Sequence, residues 1–406
     1  MFNDDFVCES TKHGDPANRL AIPGSSLDMT RKHTIPIEYL THSVQLRTLT
    51  EHLTNEDMVA VDSESNSRHR YPERVCLIQV AVRSKVYLID TLEVRDMAPL
   101  GEILSDPSIR KVIHGADYDL RCFDRQWGFR VQNLFDTTIA AQFIGLRRFA
   151  LPTLTKELLG VEIEKNERLQ RSDWTLRPLG TNSLEYAAQD VWYLEEIQKI
   201  LEEKLTALGR TKWVAEEHSR LEQVRHVARK PEIAFLSVKG SQTLNGRQLA
   251  VLKSLFIFRE SEARRMERPP YYVLPDDNLV HLAVNPEADL AQLPSVRRRV
   301  ATPFGRALRE SLARGVAAPE VERSTPDRSP QMTPSSKALL DRLKKWRQDW
   351  GEQLDIDPSL IWPMASLNRL ARVPEHLATE LDSPQVRQWQ KTEFADSLPP
   401  VLEEVG

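Results

Sequence analysis

Three runs rich in β-branched residues follow one another closely, and this pattern limits the possible folds more than any other part of the sequence. The runs are Met58–Asp62, Val75–Val82 and Val86–Asp90. Runs of this length and composition are typical of β-strands. The connections between them are too short for helical crossovers, so we expect neighbouring antiparallel strands in one sheet.

Helices and a further strand alternate after these runs. Such an order predicts a mixed α/β domain, with one central sheet flanked by helices, over residues 34–209. Apolar spacing, an N-cap and terminal glycines define the remaining elements. They are helices at Met97–Leu104 and Asp117–Trp127, a strand at Lys111–His114, a helix starting near Asp136, a short helix at Leu154–Leu159 and a long helix from Ser183 to Leu208.

Strand signals nearly vanish after Thr211. Residues 210–314 are predicted to form a helical domain built on the amphipathic helix Gly246–Arg268, and residues 337–406 a second one. The Pro- and Ser-rich residues 315–336 are predicted to be a linker, and residues 1–33, which show no periodicity, a mobile leader. The expected fold is therefore an α/β domain followed by two small all-α domains.

Composition excludes several classes of protein. The 406 residues carry a net charge of −4, which argues against coating nucleic acid through bulk charge, although basic residues outnumber acidic ones between Thr211 and Arg323. No apolar run approaches the roughly 20 residues of a membrane helix. The first residues do not form a signal peptide, and Cys8, Cys76 and Cys122 give no disulfide framework. We therefore predict a cytoplasmic protein without a membrane partner.

Acidic residues end a predicted strand and begin a predicted helix. Asp62 and Glu64 lie two residues apart at a strand end, so they point to one face. Asp119 lies in the first turn of a helix and can point toward that strand end, and Asp117 is the competing candidate. Each motif alone is also typical of surface acids, because a helix start favours acids through its dipole.

A third motif lies in the last predicted helix of the α/β domain. Tyr186 and Asp190 are four residues apart and share a helix face, with two alanines between them that allow close packing. Alone, this pattern also fits a core tyrosine beside a surface acid. Carboxylates are the ligands that Mg²⁺ and Mn²⁺ prefer, and the three motifs together are what two-metal phosphodiester chemistry requires.

The sequence around these motifs resembles the Tyr-containing branch of the DEDD superfamily of 3′–5′ exonucleases, and within it the ribonuclease D family. The resemblance implies a ribonuclease H-like mixed sheet. It covers about residues 37–208. The sequence departs from the family pattern at Ser65, where bacterial members commonly have an aromatic residue. The matching segments are VAVDSESNSRHRYPERVCLIQVAV, KVIHGADYDLRCF, LFDTTIAAQFIGL, RSDWTLRPL and YAAQDVWYL.

The resemblance implies a metal-dependent 3′–5′ exoribonuclease. It makes Asp62, Glu64, Asp119 and Asp190 the ligands of two divalent metal ions, Mg²⁺ or Mn²⁺, and Tyr186 the residue that positions the attacking water. The implied products are nucleoside 5′-monophosphates. The implied substrates are structured RNAs with single-stranded 3′ tails, tRNA precursors above all, and we expect the enzyme to act as a monomer.

The helical blocks resemble HRDC domains, which help to hold nucleic acid. The resemblance of residues 231–314 is carried by FLSVKGSQTLNGRQLAVLKSLFIFRESEARRMERPP and VLPDDNLVHLA, and block 337–395 resembles a more diverged copy. Lys239, Arg264 and Arg265 are candidate phosphate contacts, with a solvated basic face as the alternative. The sequence contains no GxxxxGK[ST] phosphate loop, which excludes the helicases that carry this domain.

Three further substrate-binding candidates lie nearer to the acids in the sequence. Trp174 could stack on a base and Arg177 could pair with a phosphate, or both could anchor a structural loop. His114 could contact the substrate, but a histidine satisfied by its own neighbours is the more ordinary interpretation.

Two other functions remain open from the residues alone. A DNA 3′–5′ exonuclease could use the same site, and comparing the cleavage of RNA and DNA of one sequence would decide. A catalytically inactive RNA-binding adaptor would need one of the acids to be missing, and all four are present.

Overall fold

The structure, a computed structural model, describes residues 35–164, 166–228, 230–322 and 332–403. The leader predicted for residues 1–33 lies outside the described residues, as do residues 323–331 of the predicted linker.

In the described part of the chain, six strands form one mixed sheet in the order β1-β4-β3-β2-β5-β6. β2, β3 and β4 are antiparallel neighbours, which confirms the sequence prediction, whereas β1, β5 and β6 pair in parallel. The short β1 and β6 were not predicted, because so few residues show no periodicity. The strands are β1 (Ile37–Leu40), β2 (Met58–Ser65), β3 (Val75–Val82), β4 (Lys85–Asp90), β5 (Arg110–Ile113) and β6 (Leu134–Asp136).

Helices accompany this sheet along the chain up to residue 221. They are α1 (Ser43–Leu53), α2 (Ala98–Ser105), α3 (Asp117–Trp127), α4 (Thr137–Phe143), α5 (Leu151–Leu154), α6 (Glu167–Gln170), α7 (Thr181–Trp192), α8 (Leu194–Ala207) and α9 (Thr211–Leu221). Asp136 caps α4 as predicted, by accepting hydrogen bonds from the amides of Thr138 and Ile139.

The long helix predicted from Ser183 to Leu208 is two helices, which meet at Tyr193. The break has a packing reason. α7 lies across β2, β3 and β4, whereas α8 covers β2 and β5 and contacts α4. Gly209 follows with a φ of 70°, so the predicted glycine stop is confirmed.

Apolar side chains cover both faces of the sheet. On one face, α1, α2 and α3 bury residues such as Leu46 and Phe123 against Val80. On the other face, α4, α7 and α8 bury residues such as Leu201 against Leu77. The sheet is thus the middle layer of three, as the alternation of strands and helices predicts.

Residues 231–317, called the helical module below, have an apolar core of their own. Leu252, Leu279 and Leu308 are fully buried in it, and Arg259 is buried beside Asp276 at 2.6 Å. The helices are α10 (Pro231–Ala234), α11 (Gly246–Met266), α12 (Pro270–Val273), α13 (Asp276–Val284) and α14 (Pro303–Ala317).

Residues 334–403, called the C-terminal block below, share the apolar cluster of the sheet's α7–α8 face. Trp389 stacks on Trp213 with ring centroids 4.7 Å apart, and Arg387 pairs with Glu217 at 2.9 Å. The helices are α15 (Pro334–Leu354), α16 (Pro358–Ile361), α17 (Met364–Arg372), α18 (Leu377–Asp382), α19 (Gln388–Phe394) and α20 (Leu398–Glu403).

Two sequence expectations about domain organisation differ from these contacts. α9 follows the boundary predicted at residue 210, yet its Trp213 and Val214 pack with the sheet-containing part. The predicted linker 315–336 overlaps the end of α14 and the start of α15. Within the described ranges, no helix is both long and apolar enough to cross a bilayer.

Candidate active site

A cavity of about 440 Å³ opens where β2 ends, beside α3 and α7. It brings together residues that are distant in the sequence. Its lining includes six of the residues predicted from the sequence, namely Asp62, Glu64, His114, Asp119, Tyr186 and Asp190.

The backbone ladder of β2 places the first two acids. Asp62 lies opposite Gln79 of β3 and Glu64 lies opposite Leu77, so both carboxylates project from the same face of the sheet. The register shifts immediately after Glu64, which ends the regular pairing at the cavity. Local strand geometry is thus enough to bring this pair together.

α7 carries the second pair of residues to the same place. Ala187 and Ala188 are fully buried, and these small side chains let the helix lie close to β2 and β3. Tyr186 and Asp190, four residues apart, line the cavity from this helix. The close approach that the two alanines predict is therefore confirmed.

The turn from β5 to α3 places Asp119. Gly115 adopts a φ of 76°, and the Asp136 carboxylate accepts hydrogen bonds from the amides of Gly115 and Ala116 at 3.1 and 2.7 Å. Asp119 is buried and accepts a hydrogen bond from the Ser63 hydroxyl. The competing Asp117 is exposed and pairs with Arg121 at 2.8 Å, so the geometry favours Asp119.

The electrostatics of the four carboxylates are unfavourable without a cation. Burial raises the pKa of Asp62 well above its usual value, and the charges of Asp119, Asp190 and Glu64 raise it further. Burial, then the charges of Asp190 and Asp119, raise the pKa of Glu64 in the same way. Partly buried carboxylates that repel one another favour a bound cation.

The chemistry of this donor set fits divalent metal ions, since carboxylate oxygens are what Mg²⁺ and Mn²⁺ prefer. The acids line one cavity, but within the described residues no three His, Cys, Asp or Glu side chains converge on one point as ligands of a single ion. Mutual repulsion of like charges is a physical reason for carboxylates to stand apart. The site therefore fits divalent metal ions in the type of its ligands and in the cavity that these ligands share.

Tyr186 is neutral at physiological pH. Burial raises the pKa of its hydroxyl, and the nearby charges of Asp190, Glu64 and Asp62 raise it further. Burial also raises the pKa of Asp190, while a hydrogen bond from Tyr186 opposes that rise. A protonated phenol beside the acids can both donate and accept a hydrogen bond.

His114 lines the cavity as a neutral side chain. Burial lowers its pKa, and the charge of Asp136 only partly opposes this. Its Nδ1 lies 2.8 Å from the Thr137 hydroxyl. The histidine is thus held by a neighbour, as its more ordinary interpretation predicts, while it still faces the cavity.

Trp174 and Arg177 do not line the cavity, which corrects their prediction as substrate contacts. Trp174 is only 1% exposed and packs 6.3 Å from the Tyr186 ring, so its faces are covered by protein. Arg177 forms a bidentate pair with the buried Asp90, at 2.5 and 2.7 Å, and donates to the Cys76 carbonyl at 3.0 Å. Both residues anchor the loop, which is the alternative that the sequence left open.

Lys239, Arg264 and Arg265 are exposed on the helical module and do not line the cavity. Arg265 pairs with Glu262 at 2.7 Å, and the Arg264 guanidinium lies 5.5 Å from the centre of the Tyr71 ring. Their contact with phosphate remains a prediction.

Several residues that line the cavity were not predicted. Arg68 lies in the loop between β2 and β3, Tyr118 precedes Asp119, and Gln189 precedes Asp190. The basic and aromatic run SRHRYPER, which begins three residues after Glu64, was a usable signal for Arg68. Tyr118 and Gln189 could not be predicted in the same way, because their position at the cavity depends on how the helices pack.

A mixed sheet with a cavity lined by carboxylates at one strand end, followed by helical modules, is the arrangement of a 3′–5′ exonuclease. The 3′–5′ exonuclease family model matches residues 37–206 and the HRDC domain model matches residues 248–315. Ribonuclease D of Gluconacetobacter diazotrophicus is 32% identical over 363 residues, which cover 88% of this chain and 90% of that protein.

The chain belongs to the ribonuclease D family and is a 3′–5′ exoribonuclease. The crystal structure of Escherichia coli RNase D matches with a TM-score of 0.70 at 26% identity, covering 91% of this chain and 99% of that one. Exosome complex component 10 of Homo sapiens is 33% identical over 61% of this chain and 29% of its own length. Nucleases of this family depend on divalent metal ions, in agreement with the ligand types in the cavity.

Proposed function

We propose that this enzyme shortens structured RNA from the 3′ end, one nucleotide at a time, and releases nucleoside 5′-monophosphates. The inferred substrates are tRNA precursors and similar RNAs with short single-stranded 3′ tails, and the inferred active form is a monomer. The observation that carries the proposal is the single cavity shared by Asp62, Glu64, Asp119, Asp190 and Tyr186.

The four carboxylates would hold two divalent ions, Mg²⁺ or Mn²⁺. Bound there, the ions would lower the pKa of a water ligand and stabilise the charge on the leaving oxygen. Ser63 keeps Asp119 oriented through the hydrogen bond from its hydroxyl. The backbone pairing of β2 with β3 holds Asp62 and Glu64 in place in the same way. The carboxylates therefore need to move little during turnover.

Tyr186 would position the attacking water. Its hydroxyl stays protonated because burial and the neighbouring carboxylates raise its pKa, so it can hold a water by hydrogen bonding without competing as an anion. His114, neutral and fixed by Thr137, would contact the terminal nucleotide rather than a metal ion.

The size of the cavity supports a single-stranded 3′ end as the substrate. About 440 Å³ lies within the usual range of ligand sites, roughly 300–1,000 Å³. A cavity of this size suits one terminal nucleotide, so we expect trimming to stop where paired structure begins. Escherichia coli RNase D is an exoribonuclease involved in structured RNA processing, which supports structured RNA as the substrate here.

The test is a time course on an RNA hairpin with a single-stranded 3′ tail, labelled at its 5′ end, with Mg²⁺ or Mn²⁺. We expect a ladder that shortens from the 3′ end and halts at the stem, nucleoside 5′-monophosphate products and no reaction in EDTA. The matched control is a DNA hairpin of the same sequence, which we expect to be degraded more slowly. Internal cuts, or equal rates on DNA, would contradict the proposal.

A further inference from the structure

Two tyrosines of the helical module are exposed side by side. Tyr271 is 53% exposed and Tyr272 is 56% exposed. Their ring centroids are 4.7 Å apart with a tilt of 32°. Neighbouring exposed aromatic rings of this kind mark interaction sites, and this pair is called the tyrosine platform below.

The platform rests on a fixed support. The next two residues, Val273 and Leu274, are fully buried in the core of the helical module. Arg299 donates to the Val273 carbonyl at 2.8 Å, and this hydrogen bond also holds the backbone of the segment in place. The two rings therefore face outward because the rest of the segment is held inside, and ordering them on a ligand costs little entropy.

The loop of residues 66–74 joins the platform to the active-site cavity. The Tyr271 hydroxyl donates to the Arg68 carbonyl at 2.8 Å, and Arg68 is one of the residues that line the cavity. Tyr71 of the same loop packs against the core of the helical module and donates to Glu260. A single residue, Arg68, thus links the catalytic cavity with the platform.

Exposed basic residues lie close to the platform, either in the sequence or through the contact with Arg68. Arg68 is exposed, and among the described residues its guanidinium forms no ion pair. Arg264, Arg265 and Arg268 are exposed at the end of α11, directly before the segment that carries the platform. Aromatic rings interleaved with arginines are the combination that holds single-stranded nucleic acid, through base stacking and phosphate contacts.

We propose that the tyrosine platform is a base-stacking subsite for single-stranded RNA upstream of its two 3′ terminal nucleotides. The inference rests on the proposed function, because it takes the 3′ terminal nucleotide to lie in the cavity. Arg68 contacts the phosphate between the cavity and the platform, and Tyr271 or Tyr272 stacks on an upstream base. The subsite is independent of base identity, since every base presents a stacking face.

Steady-state kinetics of the full chain test the subsite. With an RNA long enough to reach the platform, Tyr271→Ala and Tyr272→Ala are expected to raise KM roughly tenfold each and to leave kcat unchanged. With a dinucleotide, which is too short to reach the platform, Tyr272→Ala should equal the wild type. Tyr272→Phe keeps the ring and should retain the wild-type KM. Ile257→Ala, at a side chain of the same module that is 51% exposed, is the matched control.

The outcomes separate the platform from a merely structural contact. If Tyr271 only ties the loop to the module, Tyr271→Phe would be as damaging as Tyr271→Ala, Tyr272→Ala would be silent, and the dinucleotide would be affected equally. That result overturns the subsite. A wild-type enzyme that degrades neither RNA contradicts the proposed function instead, so the two failures are distinguishable.

Photocrosslinking locates the base directly. The full chain carrying Asp62→Ala is irradiated with RNAs that contain 5-iodouridine at one position at a time. We expect crosslinks to Tyr271 or Tyr272 from an upstream nucleotide and none from the 3′ terminal one. Upstream crosslinks that map only to other parts of the protein would overturn the inference.

Discussion

At the scale of single residues, we expect turnover to depend on Asp62 and Asp190. Each contributes a carboxylate to a cavity in which like charges already repel. We therefore predict that Asp62→Ala and Asp190→Ala each lower kcat by orders of magnitude while Tm is unchanged or slightly raised. The measurements are RNA turnover and thermal unfolding of the same preparations.

Asp117→Ala is the control for these two variants, because Asp117 lies on the helix of Asp119 but is exposed and paired with Arg121. Its turnover should match the wild type. Activity retained after loss of Asp62 or Asp190 would refute the four-acid assignment.

Tyr186 is predicted to act on the water and not on the bound RNA. Tyr186→Phe removes only the hydroxyl, so kcat should fall far more than KM changes. Tyr193→Phe, one residue beyond the same helix, is the control and should leave both constants unchanged. A loss that appears mainly in KM would show that the hydroxyl binds the ground-state RNA.

Residue spacing was enough to predict the acidic pairs, because strand and helix periodicity are local properties. Asp62 with Glu64, and Tyr186 with Asp190, share a face for that reason alone. Trp174 shows the limit of this approach. Its burial depends on α7 and on a loop that the local pattern does not place, so a buried anchor and a base-stacking residue look the same in the sequence.

At the scale of elements, the pair of Asp90 and Arg177 fastens the loop before α7 to the end of β4. The Asp90 side chain is only 1% exposed and that of Arg177 is 20% exposed. Arg177→Met should therefore lower the free energy of unfolding by about 3–5 kcal/mol, because it leaves a buried carboxylate unpaired. Denaturant unfolding at neutral pH measures the loss.

The control is the exposed pair of Lys156 and Glu162, where Lys156→Met should leave the free energy of unfolding unchanged. If both substitutions lowered the free energy of unfolding equally, burial of the Asp90–Arg177 pair would not increase its contribution to stability.

The same pair predicts a dependence of stability on pH. Burial on its own would raise the pKa of Asp90, but hydrogen bonds from Arg177 and Tyr39 and the charge of Arg177 hold it below its usual value. A lowered pKa in the folded state stabilises the protein above the unfolded pKa, about 3.9, and that contribution is lost as pH falls through the folded value. The free-energy gap between wild type and Asp90→Asn should therefore shrink below about pH 4. A gap that stays constant to lower pH would contradict this.

Strong periodicity predicted the elements well, and weak or interrupted periodicity did not. β2 to β4 and α3 were predicted closely, whereas β1 and β6 are too short to show a pattern. The break at Tyr193 lacks the glycine or proline that commonly marks a helix end. It arises because two successive helices pack on different strands, which is tertiary information.

At the scale of the whole molecule, the C-terminal block is joined to the catalytic part through Trp389. This residue is buried, stacks on Trp213 and lies 5.4 Å from the Phe143 ring centre. Trp389→Ala should destabilise the entire chain by about 3–5 kcal/mol. We expect one unfolding transition at a lower Tm, measured by calorimetry, with Leu208→Ala, at a side chain that is 48% exposed, as the control. Two separate transitions would show that the block folds independently.

The central claim is that the four carboxylates of one cavity hold the metal ions that act on the RNA 3′ end. The most direct measurement is anomalous diffraction from crystals of the full chain grown with Mn²⁺ and a non-hydrolysable RNA dinucleotide. The account predicts two manganese peaks roughly 3.5–4 Å apart, bound by Asp62, Glu64, Asp119 and Asp190 beside the terminal phosphate. A cavity that binds the dinucleotide without manganese, or manganese bound only away from these four residues, would contradict it.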